Sequence, residues 1–223
     1  MEIGNKITMK IFVLGVIFDF DGVLINTDVC HYYAWKTISE KLNIYFDEDI
    51  NNQLRGVSRK ESLQIILRRG NICLSEQEQD ELLEEKNRLY CELVCQLDFT
   101  NRVKYICSVI DELHSKKIKI AVASSSKNAR NILRSMGILE RFDAVIDGND
   151  ISACKPDKEV FVKASDAIGI EARKCLVVED SWSGIEAAQR AGMKCICVKG
   201  MNCKVPSIKD ISEIIDIVYN KEL

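Results

Sequence analysis

The sequence predicts an α/β fold: a parallel sheet with helices on both faces, and an all-helical cap inserted after the first strand. Three observations lead there. Five short runs rich in valine and isoleucine, each followed by polar or glycine residues, have the pattern of strands buried on both faces. Helical periodicity fills most of the gaps between them, and such alternation argues for a parallel sheet. One long stretch, residues 29–97, carries helical patterns and no convincing strand.

The first strand is read in the apolar run 11–18. Lys6 and Lys10 ahead of it imitate a secretion signal. The run then meets Asp19-Phe20-Asp21, has no small-residue cleavage site, and is far shorter than the ~20 residues of a membrane span. Residues 1–10 read as an extension, and Met9 serves equally well as a start. Inside the insert, residues 30–42 carry one helix. Ser58-Arg59-Lys60-Glu61 caps a second that runs to Arg69, and Ser75-Glu76-Gln77-Glu78 caps a long third through Val94. Beyond the insert come a helix over 103–115, a strand over 118–123 and a helix over 128–136. A strand over 144–146, a helix over 157–168 and a strand over 174–178 follow. Ser183-Gly184-Ile185-Glu186 is a capping pattern for a helix over 185–191, and the last strand is 194–198. The sheet domain is therefore discontinuous, 1–27 with 98–223, around a cap of 28–97. Ligands of an open parallel sheet gather at the carboxyl ends of its strands. The cap leaves from that edge, so the sequence predicts a lid that excludes water from polar chemistry.

Composition narrows the function. With 223 residues, 47% hydrophobic and 29% charged, the chain can bury a core and remain in solution. Eleven glycines and 2 prolines leave few chain breakers. A net charge of -3 gives no basic footprint for nucleic acid. Two histidines exclude a three-histidine zinc site and argue against a Ser-His-Asp hydrolase. Ten cysteines include no C-x-x-C pair, and several lie in apolar runs, as Cys175, Cys195 and Cys197 do. They are expected to be reduced and structural, in a cytoplasmic protein.

The residues at the strand ends carry the chemistry. Asp19-Phe20-Asp21-Gly22 follows the first strand and Ser124-Ser125-Ser126-Lys127-Asn128 the second. Lys155-Pro156 precedes the fourth, and Glu179-Asp180-Ser181 closes it. Carboxylates this close repel one another unless a cation joins them, and hard oxygen ligands favour Mg²⁺. Hydroxyls, helix-start amides and lysines suit a phosphate. Each motif alone is weak. Together, in this order, they form a magnesium and phosphate site.

The four motifs resemble those of the haloacid dehalogenase (HAD) superfamily of phosphotransferases, with its Rossmann-like core and a cap after the first motif. Thr27, His31-Tyr32-Tyr33-Ala34-Trp35, Gly56-Val57-Ser58-Arg59, Ser62-Leu63, Lys86-Asn87 and residues 124–128 further resemble the β-phosphoglucomutase subfamily, from about Val16 onward. The resemblance implies Asp19 as the nucleophile that forms an acyl phosphate, and Asp21 as general acid and base. It implies one Mg²⁺ held by Asp19, Glu179, Asp180 and the backbone carbonyl of Asp21. Lys155 would offset phosphoryl charge, while Ser124 and the amides of Ser125 and Ser126 would hold the transferring phosphate. Arg59, Lys127 and Asn128 resemble contacts to a second, distal phosphate. Trp35, Gly56, Val57, Ser58 and Lys86 resemble cap contacts to the sugar phosphate, and His31 the residue that links cap closure to Asp21; Thr27 counts with it among the implied catalytic residues. The implied reaction interconverts β-D-glucose 1-phosphate and D-glucose 6-phosphate through glucose 1,6-bisphosphate, in a monomer whose partner is a small phosphorylated sugar. A sugar phosphatase using the same nucleophile is the alternative. Asn101-Arg102-Val103-Lys104-Tyr105 stands where the family has Pro-Gly, Lys158 replaces a usual proline, Ser125 a commoner alanine, and Trp182 is unusual.

Overall fold

The computed structural model describes residues 13–54, 57–198 and 205–220. Six strands form one parallel sheet: β1 (Gly15–Phe18), β2 (Lys119–Ala123), β3 (Ala144–Ile146), β4 (Cys175–Glu179), β5 (Lys194–Val198) and β6 (Ser207–Ile208). Their order is β3-β2-β1-β4-β5-β6, and every neighbouring pair is parallel. All four residues of β1 are buried, as a strand covered on both faces requires. Phe18 pairs with Val122 of β2 on one side and Val178 of β4 on the other. The strand order reverses at β1 and β4. An open parallel sheet presents its ligand crevice at such a point.

Two compact units make up the chain: Met1–Leu24 with Thr100–Leu223, and Ile25–Phe99. The first holds the sheet and α5 (Thr100–Ser115), α6 (Ala129–Ser135), α7 (Glu159–Ile168), α8 (Trp182–Arg190) and α9 (Glu213–Asn220). Ile17, Val177, Phe161, Ala187 and Cys197 belong to its core. The second is helical, with α1 (Asp28–Lys41), α2 (Glu48–Gln53), α3 (Arg59–Arg69) and α4 (Glu76–Cys95). Its own core gathers Trp35, Ile38, Leu63, Ile66 and Leu82.

The caps explain where these helices begin. Ser58 Oγ accepts from Glu61 N at 3.2 Å and starts α3. Ser75 and Glu78 form a reciprocal capping box that starts α4. The cap expected at Ser183 is instead supplied by Ser181, whose Oγ accepts from Gly184 N at 3.1 Å. Ser181 has the extended backbone of a cap residue, so the cap lies two residues upstream of the expected one, and α8 begins at Trp182 and takes Ser183 inside it. The short elements α2 and β6 and the terminal α9 have no counterpart in the sequence reading. Ile11 and Phe12, the extension with Lys6, Met9 and Lys10, Gly56 and Cys203 lie outside the described residues. None of the nine described cysteines is in a disulfide. Burial pushes the Cys175 thiol up to about 11.

Candidate active site

Asp19 leaves the carboxyl end of β1 and Glu179 ends the adjacent β4, so the sheet register itself sets two carboxylates side by side. The backbone N–H of Asp19 donates to the Val178 carbonyl at 2.9 Å, extending the ladder one residue into the site. Asp180 follows directly. One carboxylate oxygen from each of Asp19, Glu179 and Asp180 lies within 4.8 Å of the others.

Lys155 enters from the loop after β3 and is buried. Its ammonium donates to Asp19 Oδ1 at 2.5 Å, Glu179 Oε1 at 2.6 Å and the Ala123 carbonyl at 3.1 Å. A lysine has three donors, so all are engaged. Burial weighs against the charge of Lys155, but Asp19 and Glu179 outweigh it and hold its pKa above the ordinary lysine value. Burial also pushes the Asp19 carboxyl well up; Lys155 opposes this, and Glu179 and Asp180 reinforce it.

Glu179 is fully buried and fixed at both ends. Its Oε2 accepts from Asp180 N at 2.8 Å and from Ser181 N and Oγ at 2.9 Å each. That oxygen is saturated, so any metal contact of Glu179 falls to Oε1. Two glycines make room for these acids. A Cβ on Gly184 would lie 1.7 Å from Glu179 Oε1, and one on Gly22 1.8 Å from Asp180 Oδ2. Gly22 also has φ +88, a left-handed conformation suited to glycine. The donor set fits Mg²⁺: hard oxygens of three carboxylates gathered in a largely buried place, with Lys155 as the one cation bonded to them. Asp21 is half-buried on the same loop, and its carboxylate stands outside the three-carboxylate group.

The loop after β2 lies at the same sheet edge. Ser124 is buried and its Oγ accepts from Ser126 N at 3.0 Å, so the Ser126 amide already has a partner. Ser125 Oγ accepts from Lys155 N at 3.3 Å and joins this loop to the lysine. Lys127 is exposed, whereas Asn128 is buried just ahead of α6. The turn after β3, which the sequence reading passed over, braces this loop. Gly148 N donates to the Ser126 carbonyl at 3.1 Å, and Asn149 Nδ2 to the Lys127 carbonyl at 3.0 Å. Asp147, buried below them, accepts from Asn149 N at 2.9 Å and from Arg130 N at 3.4 Å. The signal available was position: Asp147-Gly148-Asn149-Asp150 follows a strand, like the three motifs that were recognised.

Residues 16–198 match the family described as haloacid dehalogenase-like hydrolase. The chain belongs to that family. A HAD enzyme of this kind is a phosphatase or phosphotransferase. The chain is 39% identical to β-phosphoglucomutase of Bacillus subtilis over 80% of each sequence. It is 31% identical to the phosphorylated carbohydrates phosphatase of Thermotoga maritima, over 80% of this chain and 82% of that one. The crystal structure of β-phosphoglucomutase from Clostridium difficile superimposes with a TM-score of 0.85 at 32% identity, covering 94% of this chain and 98% of that one.

The remaining predicted residues of this HAD enzyme lie in the helical unit. Lys86 is buried, with its ammonium 5.0 Å from the Trp35 ring centre and 4.9 Å from that of Tyr90. It also lies 2.9 Å from His31 Nδ1, where it donates and leaves the ring proton on Nε2. Burial, then Lys86 and Arg59, hold the His31 pKa well below its ordinary value. Thr27 is buried and accepts from the Tyr90 hydroxyl at 3.3 Å. Trp35 is a core residue of this unit, Val57 packs against that core, and Ser58 is spent as a cap. Arg59 is half-buried beside Tyr90 and Cys91, and burial lowers its pKa. Among the described residues no helix is long and apolar enough to cross a membrane.

Proposed function

We propose that this enzyme transfers a phosphoryl group between the hydroxyls of a sugar phosphate, interconverting β-D-glucose 1-phosphate and D-glucose 6-phosphate through glucose 1,6-bisphosphate. The observation that carries the reading is the buried Asp19, held by Lys155 at the β1/β4 reversal with the acids of β4 beside it. The likeness to the Bacillus subtilis β-phosphoglucomutase supports the choice of sugar.

Lys155 donates to Asp19 Oδ1, and we assign the attack on phosphorus to the other oxygen, Oδ2, which leaves Oδ1 to share with the metal. The bond from Oδ2 to phosphorus forms as the bond from phosphorus to the departing sugar oxygen breaks, and Asp21 gives that oxygen a proton. In the return step Asp21 takes the proton of the accepting sugar hydroxyl, that oxygen bonds to phosphorus, and Asp19 is released. Asp19, Asp180, Glu179 Oε1 and the Asp21 carbonyl would hold Mg²⁺, which when bound supplies charge stabilisation to the transferring phosphoryl oxygens. Ser124 and the Ser125 amide would bind those oxygens, while Arg59, Lys127 and Asn128 would serve the second phosphate of the bisphosphate.

A phosphatase reading is favoured by the similarity to the Thermotoga maritima enzyme, named for phosphorylated carbohydrates. Arg59 separates the two. Loss of a charge-assisted contact to phosphate costs roughly 2–4 kcal/mol, which is about 30- to 1000-fold in rate. Arg59→Ala is expected to lose that much transfer from β-glucose 1-phosphate while still forming phosphoenzyme from acetyl phosphate. Coupled assays of both reactions check it. Equal loss of both, or of neither, supports the phosphatase.

A further inference from the structure

We propose that Arg102 is a positioning residue that fixes the loop from Asp19 to Leu24, and through it the Asp21 carboxyl. The inference rests on Asp19 and Asp21 acting as described above. Arg102 is the third residue of α5, in the stretch where the sequence departs from the family's Pro-Gly. Its Nε donates to the Leu24 carbonyl at 2.6 Å and an Nη2 hydrogen to the Val23 carbonyl at 2.7 Å. Two consecutive backbone acceptors are thus met by one planar fork, a match that guanidinium makes and ammonium does not.

These carbonyls matter because of what lies just ahead of them. Leu24 N donates to the Phe20 carbonyl at 3.0 Å, so residues 20–24 form one tight turn with Asp21 and Gly22 inside it. Val23 and Leu24 are buried, and their carbonyls would be costly to leave without a donor. Gly22, in the same turn, lies against the Asp180 carboxylate. A loosening of this turn therefore displaces the Asp21 carboxyl first, while Asp19 stays fixed by its own bonds to Val178 and Lys155.

Arg102 is itself braced. Its guanidinium lies 5.1 Å from the centre of the Tyr105 ring. The Tyr105 hydroxyl accepts from Ser212 N at 2.9 Å, and Asp210, which accepts from the same amide at 3.0 Å, acts on the charge of Arg102. The segment before α9 thus supports the clamp from behind. Residue Leu24 closes the first chain segment of the sheet unit and Thr100 opens its second, so Arg102 ties one segment to the other.

The test separates the two half-reactions. Acetate departs from acetyl phosphate without needing a proton, so phosphorylation of Asp19 by this donor does not draw on Asp21. Breakdown of the phosphoenzyme does, whether a sugar phosphate or water accepts the phosphoryl group. Misplacement of a reacting group by about 1 Å costs about 100-fold. Rapid-quench measurements on Arg102→Ala should show phosphoenzyme formation within about threefold of wild type, and breakdown slowed about 10- to 100-fold. Arg102→Lys, which still reaches the carbonyls with a poorer geometry, should recover part of the lost breakdown rate. The inference is overturned if Arg102→Ala breaks down phosphoenzyme at the wild-type rate, or if both steps fall together in proportion to the folded fraction. Should Arg102→Ala fail to fold, Arg102→Lys and Arg102→Gln decide by the same ratio. A wild-type enzyme that passes its phosphoryl group to water alone defeats the mutase reading but leaves this ratio to be read. A phosphoenzyme in Asp19→Asn defeats the shared nucleophile assignment instead.

Discussion

Lys155 has no donor to spare. Its three hydrogens go to Asp19, Glu179 and the Ala123 carbonyl, so it is a fixed countercharge rather than a mobile ligand. Removing it leaves two buried carboxylates without their countercharge, and breaking a buried pair costs about 3–5 kcal/mol. Lys155→Met is therefore expected to lower the urea midpoint strongly in chelator. Mg²⁺, by adding positive charge beside the same acids, should restore more stability to the variant than it adds to wild type. Titration of the midpoint against Mg²⁺ checks this, and a variant as stable as wild type in chelator would contradict the burial argument. At this scale the sequence was informative about identity and silent about partnership. Asp19, Lys155 and Asp180 stood out at strand ends, but the saturation of Glu179 Oε2 and the brace from Asn149 depend on how the loops fold back.

Between helices, the contact of α1 with α4 carries a titratable group. His31 on α1 faces Lys86 and Tyr90 on α4, and the Arg59 charge from α3 also acts on it. Its folded pKa is depressed, so the unfolded chain binds the proton more readily and stability rises with pH across that interval. Wild type should lose stability as pH falls below about 6.5, the ordinary histidine value, and go on losing it down to the depressed folded value. His31→Gln keeps an acceptor for Lys86 without a proton to gain. Its urea midpoint should fall less between pH 7 and 5, and parallel slopes would contradict the assignment. Elements of this size were legible where local rules decide them. Ser58 and Ser75 marked the starts of α3 and α4, and period-two burial was rightly absent from strands covered on both faces. The two-residue β6 has too little pattern to announce itself, and Ser183 lost to Ser181 because both satisfy the same local rule.

For the molecule as a whole, the strand order was beyond periodicity but its consequence was not: motifs at strand ends were expected to meet, and the reversal at β1 and β4 brings Asp19 to Glu179. Arg102 escaped notice because its partners lie 78 and 79 residues earlier in the chain. The same long separations govern how the protein is made. Gly15 of β1 pairs with Lys119 and Cys175, so this strand leaves the ribosome and waits for partners synthesised much later. At about 5–20 residues per second that delay lasts many seconds, with an apolar strand bare throughout. The helical unit, continuous in sequence from Ile25 to Phe99 and closed by its own core, has no such wait. Ribosome-stalled chains that expose residue 99 but not residue 175 should show a protease-resistant helical segment and a susceptible β1, with resistance of both only once β4 has emerged. Simultaneous protection at all lengths would mean that the sheet forms from other pairings first. Should the helical unit fold first, β1 is the apolar segment that a nascent-chain chaperone would have to cover meanwhile.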